Sequence, residues 1–234
     1  MAILSEEGLL QSEELRGEIF PGRGRVGWSA VLGRIYAPDR LESLFESAFD
    51  AALAGEDVAP LLDFYATETG ARVASLEVEA RRAIMSEDVE TAARNAWGEM
   101  RGTGSVREGQ LEDFARINDL IERNVTGALN ANLAFYQGLA SGDGFDLSEE
   151  QMLSEVWGQE EEIREDTEGW VFGYMAMAYD TLSDRELQTY IDLSASEAGQ
   201  DLNRALFAGF EAVFTDVSRA LGEATARFSV GNEL

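Results

Sequence analysis

The chain has 234 residues, 45% of them hydrophobic and 27% charged, an ordinary globular composition that excludes disorder as its default state. Its 45 acidic and 18 basic residues leave a formal net charge of -27, which opposes nucleic acid and anionic membrane by plain repulsion and favours a cationic partner or a salty milieu. Every basic residue is arginine, so with no Lys, His or Cys the chain lacks the groups for Schiff bases, for Ser-His or Cys-His catalysis and for an ordinary zinc site; carboxylate acid–base chemistry and hard-cation binding remain.

The opening MAILSEEGLLQSEEL has neither the basic nor the apolar region of an export signal, and no run reaches the roughly 20 apolar residues of a membrane span. The expectation is a soluble chain with no signal peptide and no transmembrane segment. Prolines stand only at 21, 38 and 60, and apolar residues recur at spacings of three and four, which reads as one all-α domain over 1–234 with eight or nine helices. The spacing predicts helices near 3–19, 28–36, 40–53, 58–66, 70–99, 106–140, 149–180, 184–194 and 197–228. Asp39-x-x-Glu42, Ser105-x-x-Glu108, Ser148-x-x-Gln151 and Ser183-x-x-Glu186 have capping-box form. Breaks fall at 21–27, 54–57, 101–105 and 140–146, all short and glycine-containing, so no linker separates domains.

The first break carries G-x-G-x-x-G at Gly22, Gly24 and Gly27. A dinucleotide loop must follow a strand, and here a helical pattern precedes it; a phosphate-binding P-loop needs lysine where Trp28 stands. Both nucleotide readings fail. Arg23 and Arg25 beside a helix start are nonetheless anion-binding candidates, against the plainer reading that they pair with the chain's own surplus carboxylates.

Sliding the chain by 129 residues lays LAGEDVAPLLDFYATETG (53–70) over LSDRELQTYIDLSASEAG (182–199), with Leu53/Leu182, Asp63/Asp192, Ala66/Ala195, Glu68/Glu197 and Gly70/Gly199 identical. This predicts an internally duplicated helix–kink–helix unit, near 52–99 and 181–228, in which Thr67 and Ser196 restart the chain and a glycine follows one turn later. LLDFYATETGARV and LSDRELQTYIDLSASEAGQDL resemble the acidic-helix, F-Y-x-S-x-x-G-x-x-L pattern of the bacterial family catalogued as domain of unknown function 2059, departing from it at Leu193-Ser194 and at Thr67. The resemblance implies an all-α protein from a family whose members usually carry export signals and look periplasmic, with no activity or catalytic residue to carry over.

In the predicted helix 106–140, Asn118 and Asn132 fall in the middle of the apolar stripe Leu111, Phe114, Ile121, Val125, Leu129, Tyr136 and Leu139. Buried amides need partners, so they either fix helix register or face a ligand in a cavity. Glu160 and Thr167 share a face with Met152, Val156, Ile163, Trp170 and Tyr174; Arg164 is the helical ion-pair candidate for Glu160, and a shielded acid beside Trp157 is the catalytic alternative. The acidic stretches 159–168 and 141–150 match no calcium loop, and no metal or other cofactor is expected. The stripe Leu202, Ala205, Leu206, Gly209, Phe210, Val213, Val217, Leu221 and Phe228 reads as core, or, where exposed, as a groove for a partner helix or an acyl chain. The function read from the sequence is a non-enzymatic protein- or peptide-interaction module. Two alternatives stand beside it: a module for a small anionic or amphipathic ligand using Arg23, Arg25, Asn118 and Asn132, and, last, a carboxylate-based hydrolase with two acids across a cleft.

Overall fold

The period-3.6 pattern becomes twelve helices in the computed structural model, which describes residues 1–19, 25–142 and 147–229, the side chains of 14–16, 18–19 and 25–26 excepted. They are α1 (Ala2–Ile19), α2 (Arg25–Ile35), α3 (Pro38–Leu53), α4 (Ala59–Tyr65), α5 (Glu68–Ala83), α6 (Glu87–Met100), α7 (Val106–Ile117), α8 (Leu120–Ala140), α9 (Glu149–Gly158), α10 (Glu160–Ala178), α11 (Asp184–Ala195) and α12 (Glu197–Ser229). No strand occurs among the described residues. The fold class is all-α as expected, but three long predicted helices are each broken in two. Ser86 turns extended at the N-cap position of α6, its side chain making no capping hydrogen bond, and the first turn of α6 carries Glu87, Asp88 and Glu90; Asp119 takes a positive φ of 52° between α7 and α8; Gln159 closes α9. Apolar periodicity runs straight through each break, because packing continues on the same side after the backbone has been reset.

Ser148 and Ser183 form the full capping boxes the sequence predicts. Ser105 caps α7, yet Glu108 does not reach back to it: its carboxylate accepts instead from the N–H of Gly102 and, at 2.7 Å, from that of Gly104, holding the 101–105 turn. Pro38 opens α3, so Asp39 lies inside its first turn rather than at the cap.

The chain divides into two compact units, one of residues Met1–Asp50, Thr126–Glu161 and Phe207–Leu234, the other of Ala51–Val125 and Glu162–Leu206. In the first unit Trp28, Leu32, Leu41 and Val213 are fully buried; the Trp28 indole donates to the Ser12 carbonyl (3.3 Å) and meets the Phe228 ring edge-on at 5.3 Å. Trp28 is thus a core residue at the very place where a phosphate loop would need a lysine. In the second unit Val73, Leu111, Met175, Leu187 and Ile191 form the core with Trp97, Tyr179 and Tyr190, and α7 is tied to α11 by Gln110, which donates to the Asp184 carbonyl at 2.7 Å.

Both helix–kink–helix segments have their kinks in this second unit. Thr67 (φ -77°, ψ 161°) and Ser196 (φ -71°, ψ 163°) are both extended. Each hydroxyl donates back to the carbonyl three residues earlier, Phe64 or Leu193, at 2.6 Å, and accepts from the N–H of Gly70 (3.0 Å) or Gly199 (3.1 Å). The glycines are required sterically: a Cβ would lie 2.2 Å from the Phe64 oxygen in one kink and 2.1 Å from the Leu193 oxygen in the other. Beyond the kinks the likeness stops, since α5 ends at Ala83 and a separate α6 follows, while α12 runs on unbroken to Ser229.

Candidate functional site

Of the residues the sequence offers for a ligand, Arg23 and the side chain of Arg25 lie outside the described residues, although Arg25 is the first residue of α2. Asn118 and Asn132 belong to different units. Asn118, 4% exposed, ends α7: its amide donates to the Phe114 carbonyl (3.0 Å) and its own carbonyl accepts from Asn203 (2.9 Å). Asn132 donates to Gln159 at 2.8 Å. The Asn118 side chain is thus engaged within its own helix, and that of Asn132 with Gln159 at the end of α9. Arg164 forks onto Glu122 of α8, with contacts of 2.5 and 2.9 Å, and Trp157 is 65% exposed, so it offers Glu160 no dry pocket. Among the described residues no group of acidic side chains is arranged to hold a metal ion.

One cleft of the second unit, about 410 Å³, is lined by Glu112, Glu165, Glu168, Arg101, Gly169 and a parallel Trp97–Phe172 stack (4.4 Å, 9°). It gathers three carboxylates, all exposed to water, so none is shielded as the acid of a hydrolase would be. Three carboxylates against one guanidinium also give this cleft the wrong sign for an anionic ligand.

Two aromatic clusters dominate the rest. In the second unit, Glu77 of α5 reaches in among tyrosines: its carboxylate accepts from the hydroxyls of Tyr179 (2.7 Å) and Tyr190 (3.0 Å), its backbone carbonyl accepts from Tyr174 (2.9 Å), and Tyr65 and Tyr190 share a hydrogen bond. Tyr190 also stacks on Phe64 at 5.8 Å, bringing the two kinks together. Although part of the residue reaches the surface, loss of hydration pushes the Glu77 carboxyl above its ordinary 4.5, against the opposing pull of the two hydroxyls. Burial followed by the Glu77 charge raises Tyr174, Tyr179 and Tyr190 in turn. Every polar tip in this cluster is engaged within the protein.

In the first unit a row of rings runs from the core to the surface. Phe49 stacks on Phe45 (5.4 Å), Phe45 meets Phe210 edge-on (5.0 Å), and Phe210 stacks on Phe214 (6.1 Å), a continuous row of four phenylalanines from α3 and α12. Gly209 makes the row possible, since a Cβ there would sit 2.6 Å from the Phe45 ring. Phe210 is 37% and Phe214 41% exposed, and Phe45 and Phe49 are half-buried. Glu42, Glu46 and Asp50 of α3 and Glu211 of α12 are exposed within one turn of these rings. The nearest arginine of α3, Arg40, is already paired with Asp216.

The sequence names Phe210 as part of a stripe that becomes a groove where exposed; it misses Phe45, Phe49 and Phe214, whose spacings of four residues within each helix were the available signal. It misses the tyrosine cluster as well, though Glu77 lies four residues from buried Val73 and three from buried Ala80, on the inward face of α5. No protein-family model, curated protein or solved structure matches this chain.

Proposed function

We propose that this protein is a helical interaction module, and that the Phe45, Phe49, Phe210 and Phe214 face is the surface it presents to a protein partner. The carrying observation is the row itself: four contacting rings on two helices, two of them exposed, where the second unit's tyrosines are turned inward and satisfied. Contiguous exposed aromatic surface of this kind is what interface centres are made of. The absence of lysine, histidine and cysteine supports a binding role over covalent or imidazole catalysis. The resemblance to domain of unknown function 2059 and the matched caps at Thr67 and Ser196 support two further parts of the reading, an exported protein and a duplicated helix–kink–helix unit. Among the described residues no helix is long and apolar enough to cross a membrane.

A photoreactive benzophenone side chain placed at Phe214, and at exposed Val78 of the second unit as control, tests the reading in the cells that make the protein. The expected result is one discrete, mass-identified adduct from position 214 that is absent from position 78 and lost when Phe210→Ser is added. Equal labelling from both positions, or none from 214, overturns it.

A further inference from the structure

The docking reading leaves open what kind of surface seats on the phenylalanines, and the charges around them choose it. Glu42, Glu46, Asp50 and Glu211 lie within one turn of the row along their helices, all exposed; Glu211 accepts one hydrogen bond, from the neutral amide of Asn130 (2.9 Å), and among the described residues none of the four carboxylates is held in an ion pair. Two described arginines of this unit stand five residues from the row in sequence: Arg40 is turned to Asp216 and the Ile35 carbonyl, and Arg219, exposed, follows Phe214 on α12. The row is thus an apolar strip whose neighbouring charges are predominantly negative, four carboxylates against Arg219, carried by a chain of net charge -27. A fatty acid or an anionic lipid would bring its own negative group to those carboxylates. A second copy would place the same carboxylates opposite themselves, since a two-fold interface uses one patch twice.

We infer that the occupant is a cationic amphipathic helix of another protein, its apolar stripe laid along Phe45, Phe210 and Phe214 and its Lys or Arg residues reaching Glu42, Glu46, Asp50 and Glu211. A helix on a groove formed by two helices is a recurrent geometry, with apolar anchors every three or four residues that match the one-turn spacing of Phe210 and Phe214. Cations at the margin also gain from the ring faces themselves. Charge complementarity then acts chiefly on encounter and on rejection of wrong partners, while ring burial sets the residence time.

This inference rests on the docking reading, and one experiment separates the two. Three probes are titrated against the full chain at low and moderate salt: a 16-residue Leu/Lys amphipathic peptide, the same peptide with Glu for Lys, and palmitate. The expected result is saturable binding of the Lys peptide alone. Phe214→Ser is expected to weaken it about tenfold or more, and Glu42→Gln with Glu46→Gln and Glu211→Gln to slow association and flatten the salt dependence. If the Glu peptide or palmitate binds as well as the Lys peptide and is lost in Phe214→Ser, the face is a docking site but the cationic partner is wrong. If the Lys peptide binds Phe214→Ser as well as the native chain, or no probe binds at all, both readings fall. Phe210→Ser is carried alongside with its melting temperature, so that a folding defect is not mistaken for lost binding.

Discussion

The two aromatic clusters are built by the same rule and put to opposite use. Each gathers four rings from neighbouring helices at one-turn spacings or across a helix pair. Around Glu77 the rings are tyrosines, turned inward, and their hydroxyls are engaged with the carboxylate, the Glu77 carbonyl or one another. On α3 and α12 they are phenylalanines with no polar atom to satisfy, and Phe210 and Phe214 stay in contact with water. A tyrosine cluster with a buried acceptor can close on itself and hold helices in place. A phenylalanine row left half in water still has apolar area to lose, on the order of 25 cal/mol for each Å² that a partner covers. One cluster spends its binding capacity on the fold; the other keeps it.

On that contrast, substitutions in the tyrosine cluster destabilise the protein far more than substitutions at the exposed end of the phenylalanine row. The largest effect is expected from Tyr190→Ala, which removes a ring packed on Phe64 and Phe114 and takes a donor from Glu77. Loss of a buried aromatic side chain costs about 3–5 kcal/mol, read as a lower urea midpoint. Tyr179→Phe keeps the ring and deletes only the 2.7 Å donor, so a loss of about 1.5–3 kcal/mol, the usual range for a hydrogen bond to a charged group, is expected. If Tyr179→Phe is silent, Glu77 is not held as an anion there and the cluster is only packing.

The acids of the second unit sharpen the contrast further, because two of them titrate in opposite senses. The Glu77 carboxyl is raised from 4.5 by burial, so its contribution to stability is complete below about pH 4.5 and is lost as pH rises through its higher folded value. Glu77→Gln retains an acceptor oxygen and removes the charge; relative to the native chain the variant should gain stability as pH goes from about 4.5 towards 7. Glu108 is lowered, first by the Gly102 N–H and then by that of Gly104, so its contribution is present above about pH 4.5 and lost as pH falls through its folded value. Glu108→Gln should therefore weaken the protein at neutral pH and approach the native curve in acid. Urea midpoints of both variants from pH 3 to 8 check this, and parallel curves would remove the distinction between the two sites.

How much of this was legible beforehand depended on whether the information was local. Helix class, the caps at Ser148 and Ser183 and the hydroxyl–glycine pairs at Thr67 and Ser196 are set by residues within one turn, and the sequence shows them. The break at Asp119 was hidden because the apolar stripe continues from Leu111 to Leu129 while one residue takes a left-handed backbone, which Asp tolerates without announcing it. Ser105-x-x-Glu108 has the form of a capping box, yet the structure gives the Glu108 carboxylate to the Gly102 and Gly104 amides, a competition among local donors that spacing cannot rank. The two clusters were hardest to see. Tyr65, Tyr174, Tyr179 and Tyr190 lie on three separate helices or their ends and meet only through the fold, and whether Phe214 is core or surface depends on what α12 packs against.

The smallest expected effect on stability is the most informative about function. Phe214→Ser alters a side chain that is 41% exposed and touches the row only through Phe210, so its stability should stay within about 0.5 kcal/mol of the native chain, as for surface positions generally. Phe210→Ser is expected to cost somewhat more, because its ring also meets Phe45 at 5.0 Å beside Gly209. Both should weaken binding of a cationic amphipathic peptide about tenfold or more, while Tyr179→Phe, measured at a temperature where it is still folded, leaves that binding intact. The two readouts then cross: the tyrosine variant loses stability and keeps the peptide, the phenylalanine variant keeps stability and loses it. Should Phe214→Ser instead lower the urea midpoint as far as Tyr190→Ala, the row would be holding the first unit together, and its exposure would be the edge of a core rather than a surface kept for a partner.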